Sequence, residues 1–126
     1  MCGIAGISYL ESQRPVAEEI LKKMTRTLNH RGPDGEGYWI DRAIGLGHRR
    51  LSIIDLEGGK QPLANEDETI WVTFNGEIYN YQELTRELQA KGHQFKTRSD
   101  TEVIVHAFEE EGPKSFKRFR GMFSFA

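Results

Sequence analysis

The sequence predicts an α+β fold in a single domain, and three observations carry that class. The chain has 126 residues, enough to bury a core but short of two domains. Short apolar β-rich runs are bounded by glycine and proline, and two long stretches instead recur at helical spacing. These elements do not alternate as regular βαβ units, which argues against a parallel doubly wound sheet.

In chain order, residues 4–10 read as a first strand, apolar and glycine-permissive behind Cys2. Pro15 suits a helix start, and Val16, Ile20, Met24 and Leu28 predict one apolar stripe along the helix. Arg31-Gly32-Pro33-Asp34-Gly35 should stop that helix, because proline and glycine both break it. Short strands are expected at 37–40, 44–48 and 51–54, with Gly58-Gly59-Lys60-Gln61-Pro62 as a loop. Residues 70–74 predict a strand ending at Asn75-Gly76, a favoured turn pair. A helix over 81–91 should close on Gly92. Ser99-Asp100-Thr101-Glu102 matches a capping box ahead of Val103, Ala107 and Phe108. That helix should end near Gly112-Pro113, a short helical turn follows over 115–120, and 122–126 reads as a strand. The chain stops inside this apolar strand, which reads as a fragment truncated on its carboxy-terminal side.

Composition excludes several functions. Hydrophobic residues make up 37% and charged residues 29%, an ordinary globular balance. The net charge of −2 offers neither a basic field for nucleic acid nor a polybasic membrane patch. No apolar run approaches the ~20 residues that span a bilayer, and the amino terminus has no signal-peptide pattern. One cysteine forms no internal disulfide, which fits a reducing cytoplasm. Four scattered histidines without a CxxC pair give no expectation of a metal site.

Cys2 is that lone cysteine. Removal of Met1 would leave thiol and α-amine on one residue, a nucleophile with its own base. A small buried cysteine in a first strand is the plainer alternative. Asn75 and Gly76 could together supply a side-chain amide and a backbone N–H to a developing oxyanion, or simply form a turn. Arg50 offers a planar donor fork for a carboxylate, or is a solvated arginine at a strand start. Asp100 could hold an ammonium group, or merely complement a helix dipole.

Six strings in order then resemble one family, the class II glutamine amidotransferases, which are amino-terminal nucleophile hydrolases. They are Cys2-Gly3-Ile4-Ala5-Gly6, His30-Arg31-Gly32-Pro33-Asp34, and Gly47-His48-Arg49-Arg50-Leu51-Ser52-Ile53-Ile54-Asp55 with Gln61-Pro62 close behind. Asn75-Gly76-Glu77-Ile78-Tyr79-Asn80, Ser99-Asp100-Thr101-Glu102 and Gly121-Met122-Phe123-Ser124-Phe125-Ala126 complete the set. Their detail is similar to the glutamine-hydrolysing asparagine synthetase branch. The resemblance implies a four-layer αββα sandwich of the amino-terminal nucleophile hydrolase type, with residues 1–126 forming a partial amidotransferase type 2 domain.

It further implies hydrolysis of glutamine to glutamate and ammonia, with Cys2 as nucleophile and Asn75 and Gly76 as oxyanion hole. Arg50 would bind the substrate carboxylate, Glu77 and Asp100 its ammonium end, and the backbone of Leu51 and Ile53 would lie along it. Arg31, Gly32 and Asp34 would support the pocket, and His48 is read as structural. Ammonia would pass through a tunnel to a carboxy-terminal synthetase domain that activates aspartate with ATP and Mg²⁺. Another acceptor, a sugar or peptide carboxylate, is the alternative, and an inert scaffold is the third. No cofactor is expected in these residues, whereas a sheet missing strands leads to the expectation of a homodimer.

Overall fold

The computed structural model describes residues 1–10, 14–52 and 59–126. Seven strands, three α-helices and one 3₁₀ helix are described, a mixed helix and sheet architecture consistent with the α+β expectation. Strand β1 (Gly3–Ser8) and strands β2 (Gly35–Asp41) and β3 (Ile44–Arg50) form an antiparallel sheet in the order β1-β3-β2. Helix α1 (Glu18–Arg26) packs on that sheet. Strands β4 (Leu63–Ala64) and β5 (Trp71–Val72) pair with each other, as do β6 (Phe74–Ile78) and β7 (Gly121–Phe125). Helices α2 (Tyr81–Ala90) and α3 (Glu102–Glu111) belong with these pairs, and the 3₁₀ helix Gly112–Arg118 leads into β7.

The apolar face of α1 differs from the expected stripe. Ile20 and Met24 remain 45% and 39% exposed, whereas Leu21 and Thr25 are fully covered. A step of four residues advances 400°, so an every-fourth stripe drifts around the helix. The sheet decides which face turns inward. A Cβ on Gly47 would lie 2.1 Å from Thr25 Oγ1, and one on Gly45 would lie 2.9 Å from Val16 and 3.1 Å from Leu21. Bare backbone at these positions lets the helix sit closely over β3, which selects Leu21 and Thr25 for the interface.

The second core is built from side-chain bulk. Leu63, Val72, Phe74, Ile78, Leu84, Leu88 and Val103 are joined by Ile104, Val105, Ala107 and Phe119 in one cluster. Residues Val103 to Ala107 of α3 are all buried, so the first part of this helix is covered on every side rather than along one stripe. Phe116 meets Phe125 edge-on at 4.9 Å between centroids.

Further expectations are corrected here. Residues 70–74 do not form one strand: β5 and β6 part at Thr73, whose N–H donates to Ala126 O and whose carbonyl accepts from Ala126 N–H. Asn75-Gly76 is not a turn but lies inside β6, opposite Ser124 and Phe123. A Cβ on Gly76, at φ +150°, would lie 2.2 Å from Met122 O, so the glycine serves close strand pairing. The capping box also fails to form. The Glu102 carboxylate accepts from the N–H groups of Lys96 and Thr97, both at 2.7 Å, and is thereby committed to the preceding loop. Ser99 Oγ accepts from Thr101 N–H, leaving Asp100 in a turn just before α3 rather than in its first turn. Leu51 and Ser52 lie outside any strand, and Ile53 and Ile54 fall outside the described residues.

Candidate active site

Cys2 immediately precedes β1, at the edge where β1 pairs with the end of β3. Its Sγ lies 3.3 Å from the N–H of Leu51, which donates to it, and 3.6 Å from Leu51 O. Met1 precedes Cys2 in the sequence, so the Cys2 nitrogen is an amide until Met1 is removed. The Cys2 carbonyl accepts from Arg31 Nε at 3.1 Å.

A cleft of about 190 Å³ opens beside the sulfur. That is smaller than the ~300–1,000 Å³ of drug-sized sites and suits a small metabolite. Met1, Cys2, Arg50 and Leu51 line one side of it; Phe74, Asn75, Gly76, Glu77 and Met122 come from the β6–β7 pair. Ser99, Asp100 and Thr101 enter from the turn before α3, and Gly59 and Gln61 complete the lining. The structure thus brings together Cys2, Arg50, Leu51, Asn75, Gly76, Glu77 and Asp100. Ile53 lies outside the described residues.

The electrostatics of the cleft are mixed. Asp100 is 5% exposed and accepts from Ile78 N–H at 2.9 Å. Burial raises its pKa above the ordinary aspartate value, and the nearby Glu77 carboxylate adds to the rise. Two carboxylates therefore share one small cleft that Arg50 also lines. Asn75 Oδ1 is buried and makes no hydrogen bond.

Arg31, Gly32 and Asp34 stand behind the cleft rather than in it. Asp34 Oδ2 accepts from Ser52 N–H at 2.8 Å, while Asp34 N–H donates to Arg50 O at 2.9 Å. Gly32 O accepts from Arg49 Nε at 2.9 Å, and a Cβ on Gly32 would lie 2.3 Å from Arg49 O. Together these contacts hold the backbone on either side of Arg50. His48 is 1% exposed, does not line the cleft, and has its Nδ1 3.2 Å from Thr73 Oγ1. Burial, aided by Arg50, lowers its pKa to about 4, so it is neutral near pH 7.

Sequence reasoning assigned no role to Gln61. Its Oε1 accepts from Phe74 N–H at 2.6 Å and its Nε2 donates to Thr101 Oγ1 at 3.2 Å, tying β6 to the turn that carries Asp100. Its place just before Pro62, within a string already singled out, was the signal available.

The cleft thus gathers a thiol with a donor upon it, an amide with an unmet oxygen, two carboxylates and an arginine. Residues 1–126 match the family model described as the glutamine amidotransferase domain, and the chain belongs to that family. It is 50% identical to asparagine synthetase [glutamine-hydrolyzing] 1 of Bacillus subtilis (strain 168), over 99% of this chain and 20% of that protein. It is 51% identical to asparagine synthetase [glutamine-hydrolyzing] 2 of the same organism, over 100% of this chain and 17% of that protein. The asparagine synthetase [glutamine-hydrolyzing] of Zea mays is 45% identical over 99% of this chain and 21% of its own length. The chain therefore spans about a fifth of the length of these relatives. Among the described residues, no helix is long and apolar enough to cross a membrane.

Proposed function

We propose that this chain hydrolyses the side-chain amide of glutamine through a thioester on Cys2, and that the ammonia released serves asparagine synthesis. The observation that carries the reading is the convergence of Cys2, Arg50, Asn75, Gly76, Glu77 and Asp100 on one cleft. These residues come from widely separated parts of the chain, and each has a plainer explanation when taken alone.

Once Met1 is removed, the freed α-amine of Cys2 takes the thiol proton, and Sγ attacks the glutamine amide carbon. The Gly76 N–H and the Asn75 side chain receive the oxyanion; a half-turn of the amide presents Nδ2 where Oδ1 now lies without a donor. As the tetrahedral species collapses, the C–N bond breaks and the amine-held proton goes to the departing nitrogen, which leaves as ammonia. Water then cleaves the thioester, forming the glutamate carboxylate and returning the thiol proton. Arg50 pairs with the substrate α-carboxylate. An ammonium set between Glu77 and Asp100 relieves the charge repulsion that raises the Asp100 pKa. Backbone at Leu51 and Ile53 borders the substrate, and Arg31, Gly32 and Asp34 hold that backbone in place.

In this reading the domain takes the four-layer arrangement of amino-terminal nucleophile hydrolases: α1, the β1-β3-β2 sheet, the β4–β7 pairs, then α2 and α3. Residues 1–126 are the amidotransferase portion of a longer protein whose synthetase portion receives the ammonia in the cytoplasm. ATP and Mg²⁺ belong to that other portion, because this sequence has no Ser-Gly-Gly-x-Asp-Ser type string to cradle phosphates. The test is ammonia release from glutamine by the Met1-processed full-length protein. Cys2→Ala should reduce it to background, and retained hydrolysis would refute the mechanism.

A further inference from the structure

Away from the cleft, Glu66 from the turn after β4, His93 from the loop after α2, and His106 and Glu109 from α3 converge. One ligand-capable atom of each lies within 4.8 Å of all the others. None of the four lines the Cys2 cleft. The sequence offered no metal signature, since these residues are not spaced as a motif; the fold assembles them.

The spacing is near that of a metal's ligand shell. His106 Nδ1 and Glu66 Oε2 are 2.9 Å apart, His93 Nδ1 and Glu66 Oε1 3.3 Å, and His93 Nδ1 and Glu109 Oε2 3.7 Å. Ligands on tetrahedral zinc, with bonds of ~2.0–2.1 Å, stand roughly 3.3 Å apart.

Hydrogen bonding sharpens the case. The His106 side chain is 0% exposed, yet its Nδ1 makes no hydrogen bond, and neither does Glu66 Oε2 facing it. The far nitrogen of His106, Nε2, lies 3.4 Å from Glu102 Oε1. Glu102 is an acceptor for Lys96, Thr97 and this ring alike, so Nε2 carries the proton. With the proton on Nε2, Nδ1 is an acceptor, and it lies 2.9 Å from a carboxylate oxygen without hydrogen-bond geometry. Two acceptors face each other, and a cation between them would satisfy both. The His93 ring also has a carboxylate on its outer nitrogen, with Nε2 3.1 Å from Glu110 Oε1, while its Nδ1 is hydrogen-bonded to Glu66 Oε1 at 3.3 Å. Carboxylates on the outer nitrogens of metal-bound histidines are the usual orienting device. Asn65 fixes the same Glu109 oxygen, its Nδ2 donating to Oε2 at 3.1 Å.

We propose that Glu66, His93, His106 and Glu109 bind a divalent first-row transition metal of the zinc type. Two imidazoles select such an ion over Mg²⁺ or Ca²⁺, and two carboxylates balance its charge. The bound ion ties the turn after β4 and the loop after α2 to α3, the helix preceded by Asp100.

The test uses the full chain carrying Cys2→Ser, so that no thiol competes, after removal of metal by chelation. Zn²⁺ should bind at one equivalent by calorimetry and raise Tm by roughly 5–15 °C near saturation. Co²⁺ should give the visible absorption of a tetrahedral nitrogen and oxygen site, and Mg²⁺ should give neither response. His93→Gln and Glu109→Gln, at positions less enclosed than His106, should each weaken Zn²⁺ binding at least ~10-fold while circular dichroism stays unchanged. Absence of saturable Zn²⁺ binding would overturn the proposal. Unchanged affinity in both folded variants, or an equal response to Mg²⁺, would overturn it as well.

Discussion

Against α1, the β1-β3-β2 sheet presents Gly45 and Gly47, whereas β6 contributes Phe74 and Ile78 to a shared cluster with Leu84 and Leu88 of α2. One region packs by close approach of backbone and the other by apolar bulk. The cleft draws on both: Cys2, Arg50 and Leu51 come from the glycine-faced side, and Asn75, Gly76, Glu77 and Asp100 from the bulky side. The difference shows why the site depends on register. In the proposed mechanism, a nucleophile set by one region meets its oxyanion donors only if the other region docks in a fixed position. His48 and Thr73 mark that contact, joined at 3.2 Å, and Thr73 Oγ1 also donates to Gly47 O at 3.3 Å.

The comparison implies opposite failure modes, which substitutions can separate. Leu88 is 1% exposed, and Leu88→Ala removes bulk from the apolar region. The cost should be about 2–5 kcal/mol by chemical denaturation.

Acid should act at the contact between the two regions. Unfolded chains protonate His48 near 6.5, but the folded protein does so only near 4. Between those values the unfolded state binds more protons, so stability falls as pH drops and the loss is complete below about 4. The shift corresponds to roughly 3 kcal/mol. Denaturation of a His48→Asn variant across pH 7 to 4 should show a correspondingly shallower decline.

Gly47→Ala should cost about 1–3 kcal/mol through overpacking. Thr25→Ala placed in the same chain should restore part of it, because the Thr25 hydroxyl is the atom 2.1 Å from the added Cβ. Loss without any such recovery would mean that the glycine face does not set the docking of α1.

The sequence made the site more legible than the packing. Cys2, Arg50, Asn75, Gly76 and Asp100 stood out because their chemistry is of a kind and their strings fall in a recognisable order. Local rules failed where distant contacts outweighed them. Asn75-Gly76 favours a turn in isolation, but pairing with Phe123 and Ser124 of β7 extends it. Glu102 fits a capping box, yet two loop amides claim its carboxylate. The buried face of α1 was illegible because glycines on another element choose it. Gln61 and the Glu66–His93–His106–Glu109 group went unnoticed for a related reason: their partners meet only in the folded chain.

The central claim is that Cys2 becomes the nucleophile of this two-sided cleft once its amine is free. Its most direct test is intact-mass measurement of Met1-processed and Met1-bearing full-length protein after exposure to a glutamine-analogue electrophile. The account predicts one adduct, mapped to Cys2, on the processed form and none on the Met1-bearing form. Equal labelling of both forms, or an adduct elsewhere than Cys2, would contradict it.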